Sequence, residues 1–458
     1  MDRHVRSIIF LFVIALLFFA TGISGAESIS AGRAPEEMSL DQAIRYALEH
    51  SPDLQSSAAE VRRREGVAIT VRSGLLPQAD LFGDASHTHY DHAYPPATSP
   101  QVIRFNDTIY TGGAELKLLV WDFFQTAKEL RAARERIRSA EDIRERRKQE
   151  VLFNVANLYL KTLTYNDLAD AAQSTRKSLA ALLDQTRQLV EAGRAVPADV
   201  LKVSTRLAQV ESDLATLESG RRTTISQLAA AMGLEGRLPQ LVYIPSNAKK
   251  PSQPENEEEL IHEAIAHRQD LSSQMHETKA ASEQETATRR SQWPRVEFRA
   301  AAYGYTSASP ISSTGGKADD AAGDWAIGLR VTFPLFDAGK RRGQIQSAVA
   351  QRDLAQASER KLRLDIEKEV RSALAEMESA QSRVRATRQS VAQAEEVLRN
   401  ERLKYEAGRS VINFVLDAEA ALLTNLSLLR QAERSVSIAS LLLDLSLGRI
   451  GPAIAGPP

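Results

Sequence analysis

Apolar side chains recur every three or four positions over the longest stretches of this chain. Ile366, Val370, Ala373, Met377, Ala380, Val384, Thr387, Val391, Ala394 and Leu398 alternate steps of four and three without a break. An earlier segment repeats the pattern with Val151, Val155, Leu158, Thr162, Tyr165, Ala169 and Ala172, loses it at Arg176, and resumes at Leu179 and Leu183. Two return segments obey it too, one through Val200, Val203, Leu207, Val210, Leu214 and Leu217, the other through Val415, Ala418, Leu422, Asn425, Leu429 and Ala432. A sustained 3.5-residue period predicts left-handed coiled coils, and short turns between the arms make them antiparallel. A single helix from Asp122 to Glu191 would span on the order of 100 Å, more than a globular domain needs.

Elsewhere the period changes to two. Trp325, Ile327, Leu329, Val331, Phe333 and Leu335 alternate with Ala326, Gly328, Arg330 and Thr332, which predicts a strand with one apolar face. Val296, Phe298, Ala300 and Ala302 alternate with Glu297, Arg299 and Tyr303 in a partner strand, and Leu116, Leu118 and Val120 alternate with Glu115 and Lys117 in a third. A fourth strand is expected within 78–90. The stretches 91–107 and 307–322, rich in Pro, Gly, Ser and Asp, read as exposed loops. Before each strand pair lies a helix. The first begins near Met38 with Ser39 as N-cap and runs toward Leu76, ended by Pro77; the second begins at Glu257, Glu258 and Glu259 and stops before Pro294.

These elements occur twice. His50-Ser51-Pro52-Asp53-Leu54 returns as His267-Arg268-Gln269-Asp270-Leu271, 217 positions on. At an offset of 215, Trp121-Asp122 returns as Phe336-Asp337, Glu191-Ala192-Gly193-Arg194 as Glu406-Ala407-Gly408-Arg409, and Met232-Gly233 as Leu447-Gly448. A unit this long is a duplicated half, not a solenoid repeat. The division expected is a signal segment at 1–26, a first repeat at 38–235, a linker at 236–256, a second repeat at 257–450 and a tail at 451–458.

Composition narrows the class. Arg3 and Arg6, an apolar run from Ile8 to Ala20 and the small residues Ser24-Gly25-Ala26 have the form of a secretory signal, and no second apolar run stands out in the remainder. The chain has no cysteine, so packing or assembly must hold an exported protein together. A formal net charge of -1 gives no case for nucleic acid as a partner. No Gly-rich phosphate loop follows a strand and no nucleophile–base pairing stands out, so the reading is of a non-enzyme without cofactors. His87, His89, His92 and Asp91 form the only metal-like grouping; a polar loop rim explains them better than a metal site.

Four strands of this kind pose a closure problem. If their apolar faces meet lipid, Trp121, Phe123, Phe124, Phe333 and Phe336 would form an aromatic girdle near the helices, with Tyr90, Tyr303 and Tyr305 near the loops. About eight strands are the practical minimum for a barrel, and an open edge is not tolerated in lipid. Either the strands form a soluble sheet in a periplasmic coiled-coil, adaptor-like protein without a membrane barrel, or several chains pool their strands.

The duplication, the proline before each strand pair, the exit Phe333-Pro334-Leu335-Phe336-Asp337-Ala338-Gly339 and the turn Tyr405-Glu406-Ala407-Gly408-Arg409 together resemble the TolC-like outer membrane efflux protein family over the whole mature chain. The resemblance implies a mainly α fold with a small β part. Long antiparallel coiled-coil hairpins would form a trimeric periplasmic α-barrel, and four strands per chain would join a 12-stranded outer-membrane β-barrel. It implies a homotrimer in outer-membrane lipid with a large periplasmic extension. It further implies a membrane-fusion adaptor and an inner-membrane pump of RND, ABC or MFS type as partners, in efflux or type I secretion. The adaptor would dock at two tips, Gly193-Arg194-Ala195-Val196 and Gly408-Arg409-Ser410-Val411. For the gate, Asp417 matches an acidic position of the family's entrance, while Phe414 stands where a second carboxylate is expected. Tyr405 and Asp199 match a tethering pair, and Ser410 replaces the expected tethering arginine.

Overall fold

The computed structural model describes residues 37–94, 101–235, 240–241, 256–307 and 322–451. The signal-like segment, the tail beyond residue 451 and most of the linker lie outside them. The order is β1 (Glu37–Met38), α1 (Leu40–His50), α2 (Pro52–Ser73), β2 (Gln78–Tyr94), β3 (Gln101–Trp121), α3 (Gln125–Glu191), α4 (Pro197–Met232), β4 (Gln240–Leu241), α5 (Glu257–His267), α6 (Gln269–Arg290), β5 (Arg295–Ser307), β6 (Ala322–Thr332), α7 (Lys340–Glu406) and α8 (Ile412–Ser446). The chain is mainly α, with one small four-stranded antiparallel sheet, as the periodicity predicts.

Both long helices contain 67 residues, so the two copies build arms of equal reach. The expected heptad positions are the buried ones: Val151, Val155 and Leu158 in α3, and Ile366, Val370, Ala373, Met377 and Ala380 in α7. Each copy repeats the same core. Ile44, Ala47, Val151, Val155 and Met232 share one cluster, while their counterparts Ile261, Ala264, Ile366, Val370 and Leu447 share another. Full burial of one such side chain is worth about 1.5–3 kcal/mol, which is how these clusters fix the helix register.

The opening helices differ from expectation. A single helix from Ser39 toward Leu76 is in fact two, because Pro52 at the start of α2 forces Ser51 out of the helical region, at φ -58° and ψ 125°. The second copy breaks at Arg268 (φ -72°, ψ 121°) without a proline. A glycine from the far end of each half lies against each break. Gly233 (φ +73°) sits so close that a Cβ would lie 2.5 Å from the His50 carbonyl oxygen; Gly448 (φ +72°) faces His267 in the same way, at 3.2 Å. The two duplicated motifs of each half are therefore two sides of one joint.

The sheet order is β2-β3-β5-β6, so the halves join through β3 and β5. Register places Ala79 against Leu116, Leu116 against Ala300, Ala300 against Ile327, and likewise Leu118, Phe298 and Leu329 in one row. Trp325, Ile327, Leu329 and Val331 are all strongly exposed on that apolar face. The opposite face carries Lys117 paired with Asp80 (3.5 Å) and Glu115 (2.9 Å), and Arg299 paired with Glu297 (2.9 Å).

Three expectations for the strands change. Residues 91–94 and 101–107, expected in a loop, are paired strand. A bulge between Leu119 and Trp121 takes Val120 out of the alternation and sets Trp121 opposite Val296. The β6 alternation ends at Thr332, so Phe333 and Leu335 follow the strand rather than extend it. Composition also understated α8. It is apolar and long enough to cross a bilayer, yet little of that stretch is buried within one chain.

Candidate functional site: the hairpin tips and the seam behind them

The two tips share one backbone geometry. After α3, Gly193 adopts φ +68°, its N–H donates to the Val190 carbonyl (2.9 Å), and the Arg194 N–H donates to the Leu189 carbonyl (2.8 Å). After α7, Gly408 adopts φ +69°, its N–H donates to the Tyr405 carbonyl (2.9 Å), and the Arg409 N–H donates to the Lys404 carbonyl (2.8 Å). Each is a Schellman cap. A Cβ at Gly193 or Gly408 would meet nothing within 4 Å, so the left-handed backbone alone requires glycine there. Val196 and Val411 are extended N-caps with 58 % of their surface exposed, one apolar side chain at the end of each hairpin. Arg194 and Arg409 are exposed beside them, and Ala195 and Ser410 are half-buried.

The expected gate residues divide. Asp417 and Phe414 stand on the open face of α8, with Phe414 57 % exposed. Tyr405 instead lies in the apolar cluster between the hairpins, packed with Leu179, Val203, Ile412 and Val415. Its hydroxyl is buried and has no hydrogen-bond partner among the described residues, while Asp199 pairs with Lys202 at 3.4 Å. Within one chain, then, Tyr405 and Asp199 do not bond to each other. Ser410 donates to Glu401 (3.0 Å), tying the second tip to its own helix; the hydrogen-bonded Lys404 ammonium, and then the Ser410 bond, hold the Glu401 carboxyl below the usual range.

Behind the tips runs a polar seam that the sequence reading missed. Ser178 of α3 donates to Glu419 of α8 at 3.0 Å, and Arg402 of α7 bonds to both. Glu419 is 3 % exposed, so this carboxylate is buried with its cation. Farther from the tip, Arg434 of α8 pairs with Asp167 of α3 at 2.9 Å; nearer to it, Gln185 donates to Glu406 at 3.4 Å. The signal was an acidic and a basic residue, Glu419 and Arg434, flanking the apolar stripe of α8, which a heptad count reads as solvated surface.

At the other end of the arms, each strand turns into its long helix through a pair of left-handed residues, Phe123 and Phe124 in one copy, Ala338 and Gly339 in the other. An aspartate caps each corner. Asp122 accepts from the Thr126 N–H (2.8 Å) and hydroxyl (2.6 Å); Asp337 accepts from the N–H (3.1 Å) and the Nε (2.6 Å) of Arg341. The corner gathers the expected aromatics. Trp121 lies edge-on to Phe124 (4.7 Å) and Phe123 stacks on Trp293 (5.1 Å), a fourth member not anticipated. Phe333 and Phe336 are exposed, at 53 % and 89 %. Of the tyrosines expected at the loop end, the side chains of Tyr90 and Tyr305 lie outside the described part.

Among the described residues no group of three His, Asp or Glu side chains is placed to hold a metal ion. His87 is hydrogen-bonded to Thr108 (3.0 Å), and the His92 side chain lies outside the described part.

The family profile described as "Outer membrane efflux protein" matches residues 43–234 and again 260–449. The chain is 23 % identical to the outer membrane efflux protein BepC of Brucella suis, over 92 % of this chain and 88 % of that one. It is 24 % identical to the outer membrane protein TolC of Escherichia coli, over 95 % and 86 %. Its fold matches the outer membrane protein VceC of Vibrio cholerae with a TM-score of 0.73 at 21 % identity, covering 89 % of this chain and 96 % of that one.

Proposed function

This chain belongs to the outer membrane efflux protein family, and on that premise we propose that it is the passive exit duct of a tripartite efflux or type I secretion system. Three copies supply twelve strands to one outer-membrane barrel and six hairpins to a periplasmic tube. The observation that carries this reading is the sheet. Its apolar face is continuous across four strands, its other face is charged, and both outer edges, β2 and β6, are left without a partner strand among the described residues. Lipid tolerates such a sheet only when the edges close. A soluble adaptor-like protein would leave that face and both edges in water. The under-buried apolar stretch of α8 adds support, since an arm of a tube buries it against neighbours.

The mechanism we infer is gating at the tips. Val196 and Val411, flanked by Arg194 and Arg409, form the contact for a periplasmic membrane-fusion adaptor, which links the duct to an inner-membrane pump. Asp417 contributes a ring of three carboxylates at the entrance, and Phe414 lies beside it in place of a second ring. The tips pack closed at rest and part when the adaptor engages. The purified protein reconstituted in planar bilayers tests this reading. We expect ion-conducting channels with a preference for cations, and Asp417→Ala should lower that preference. A protein that fractionates as soluble, or forms no channels, would refute the duct.

A further inference from the structure

The first turns of α3 lie between two helices of their own chain, α2 and α6. Lys128, Glu135 and Ser139 meet Glu283, His276 and Ser273 of α6. Thr126 lies beside Gly74 at the end of α2, and Ala133 and Ala140 on the same heptad line are buried. At 3.6 residues per turn these two contact lines divide the helix surface into a sector of about 140° and one of about 220°. In any ring of helices the narrower sector faces the lumen and the wider one faces out. Arg131, Arg134 and Arg138 all stand in the wider sector. Phe124, one heptad before Arg131 at the head of the helix, is exposed and lies edge-on to Trp121 in the aromatic corner.

This outer face holds a cavity of about 320 Å³, lined by the three arginines, Lys279 and Ser282 of α6, and two carboxylates. Both carboxylates are taken. Glu135 pairs with Arg138 (2.8 Å) and His276 (2.6 Å), and Glu283 with Lys128 (2.7 Å). Arg131, Arg134 and Lys279 are exposed and have no ion-pair partner among the described residues. The arginines are spaced three and four apart, where like charges destabilise a helix. The fold does not demand them, because the matching positions of the equally long α7 hold Gln346, Val349 and Asp353.

Height selects the anion, a step that rests on the outer-membrane duct proposed above. At 1.5 Å per residue, Arg131 and Arg134 lie about 9 Å and about 13 Å from the start of α3. Helical side chains lean toward the N-terminus, here toward the aromatic corner. Both guanidinium groups therefore reach the headgroup layer, which extends about 5–7 Å beyond the hydrocarbon. We propose that this cavity binds the phosphate of an anionic phospholipid of the periplasmic leaflet, one per chain. Arg131 and Arg134 hold the phosphate oxygens, which guanidinium groups fit in a fork. Lys279 and Ser282 take the rest of the headgroup, so the bound lipid ties α3 to α6 just below the membrane.

Native mass spectrometry of the delipidated, assembled protein with added phosphatidylglycerol or phosphatidylethanolamine tests the site. The unmodified protein should hold phosphatidylglycerol about tenfold or more tighter than phosphatidylethanolamine, and Arg131→Gln with Arg134→Gln should abolish that preference. Arg136→Gln with Arg147→Gln removes the same charge from the narrower sector and should leave the preference intact. Equal loss in both variants would reduce the site to diffuse surface charge. Inorganic phosphate should not displace the lipid at equal concentration; displacement would make free phosphate the ligand and overturn the lipid. Both variants should still form channels in planar bilayers. Absence of any lipid preference in an unmodified protein that conducts would overturn the cavity site alone, whereas a protein that forms no channels would overturn the duct.

Discussion

Gly193 and Gly233 share a left-handed backbone for reasons that separate on substitution. At Gly193 a side chain would enter open space, so Gly193→Ala should cost only the conformational term, about 1 kcal/mol. At Gly233 a Cβ would also meet the His50 carbonyl, and such overpacking adds about 1–3 kcal/mol. Thermal unfolding should therefore rank Gly233→Ala well below Gly193→Ala; equal midpoints would mean the joint at His50 has slack. In the second copy, the break holds a charged group. Burial alone would raise the Asp270 carboxyl, but the Arg268 hydrogen bonds, with the charges of Arg268 and Arg146, outweigh it and hold it below the usual carboxylate value. A depressed acid stabilises the fold above its unfolded pKa of about 3.9 and loses that contribution as pH falls through the folded value. Asp270→Asn should lower the melting temperature at neutral pH, with the gap to the unmodified protein closing in acid. A gap independent of pH would assign the loss to packing instead. The aspartate of this motif was legible as a repeat marker, but Arg146, which faces it, and Glu369, which pairs with Arg268, were not, because each comes from a helix over 100 residues from its partner.

At the scale of elements, what the sequence conveyed depended on how local the cause was. The heptad arms were legible to their ends because a 3.5-residue period is written in neighbouring residues, and both tips were legible because glycine marks a left-handed cap. The break at Arg268 was hidden, since no proline marks it; the Gly448 joint and the Asp270 ion pair lie at that break, supplied by tertiary contacts. The β2–β3 strands outran the expectation because Pro, Gly and Asp near their ends suggested a loop, while cross-strand pairing continues to Tyr94 and Gln101. The alternation in β6 makes a direct test of which face meets lipid. Ile327 and Ala326 are adjacent but point to opposite faces, opposite Ala300 and Ala301 respectively. Arginine on the lipid face near mid-membrane costs about 2–4 kcal/mol, and on the water face far less. Ile327→Arg should therefore deplete the heat-modifiable form in outer-membrane fractions, whereas Ala326→Arg should not. The reverse order would turn the sheet inside out.

At the scale of the molecule, two nearly equal halves raise the question of why the chain keeps both. A ring of six identical halves would satisfy the arms and the strands, since the 67-residue helices and the corner aspartates are the same in each copy. It would not satisfy the seam. Six first halves would set Asp167 against Ser219 at every boundary, leaving the carboxylate without its cation, and six second halves would set Arg434 against Ser382. The complementary charges sit on different halves, so each half needs the other. Cutting the chain between residues 241 and 257 tests this, because the halves remain joined through β3 with β5 and through the Asp167–Arg434 ion pair and the Ser178–Glu419 hydrogen bond of α3 with α8. Co-expressed halves, each carrying its own export signal, should assemble into a heat-modifiable outer-membrane species containing equal amounts of both. Either half alone should accumulate unassembled. Were the second half alone to form channels, the seam charges would not be what holds the duplication in place. If the two halves together failed while the intact chain succeeded, covalent continuity rather than charge complementarity would be what the assembly needs.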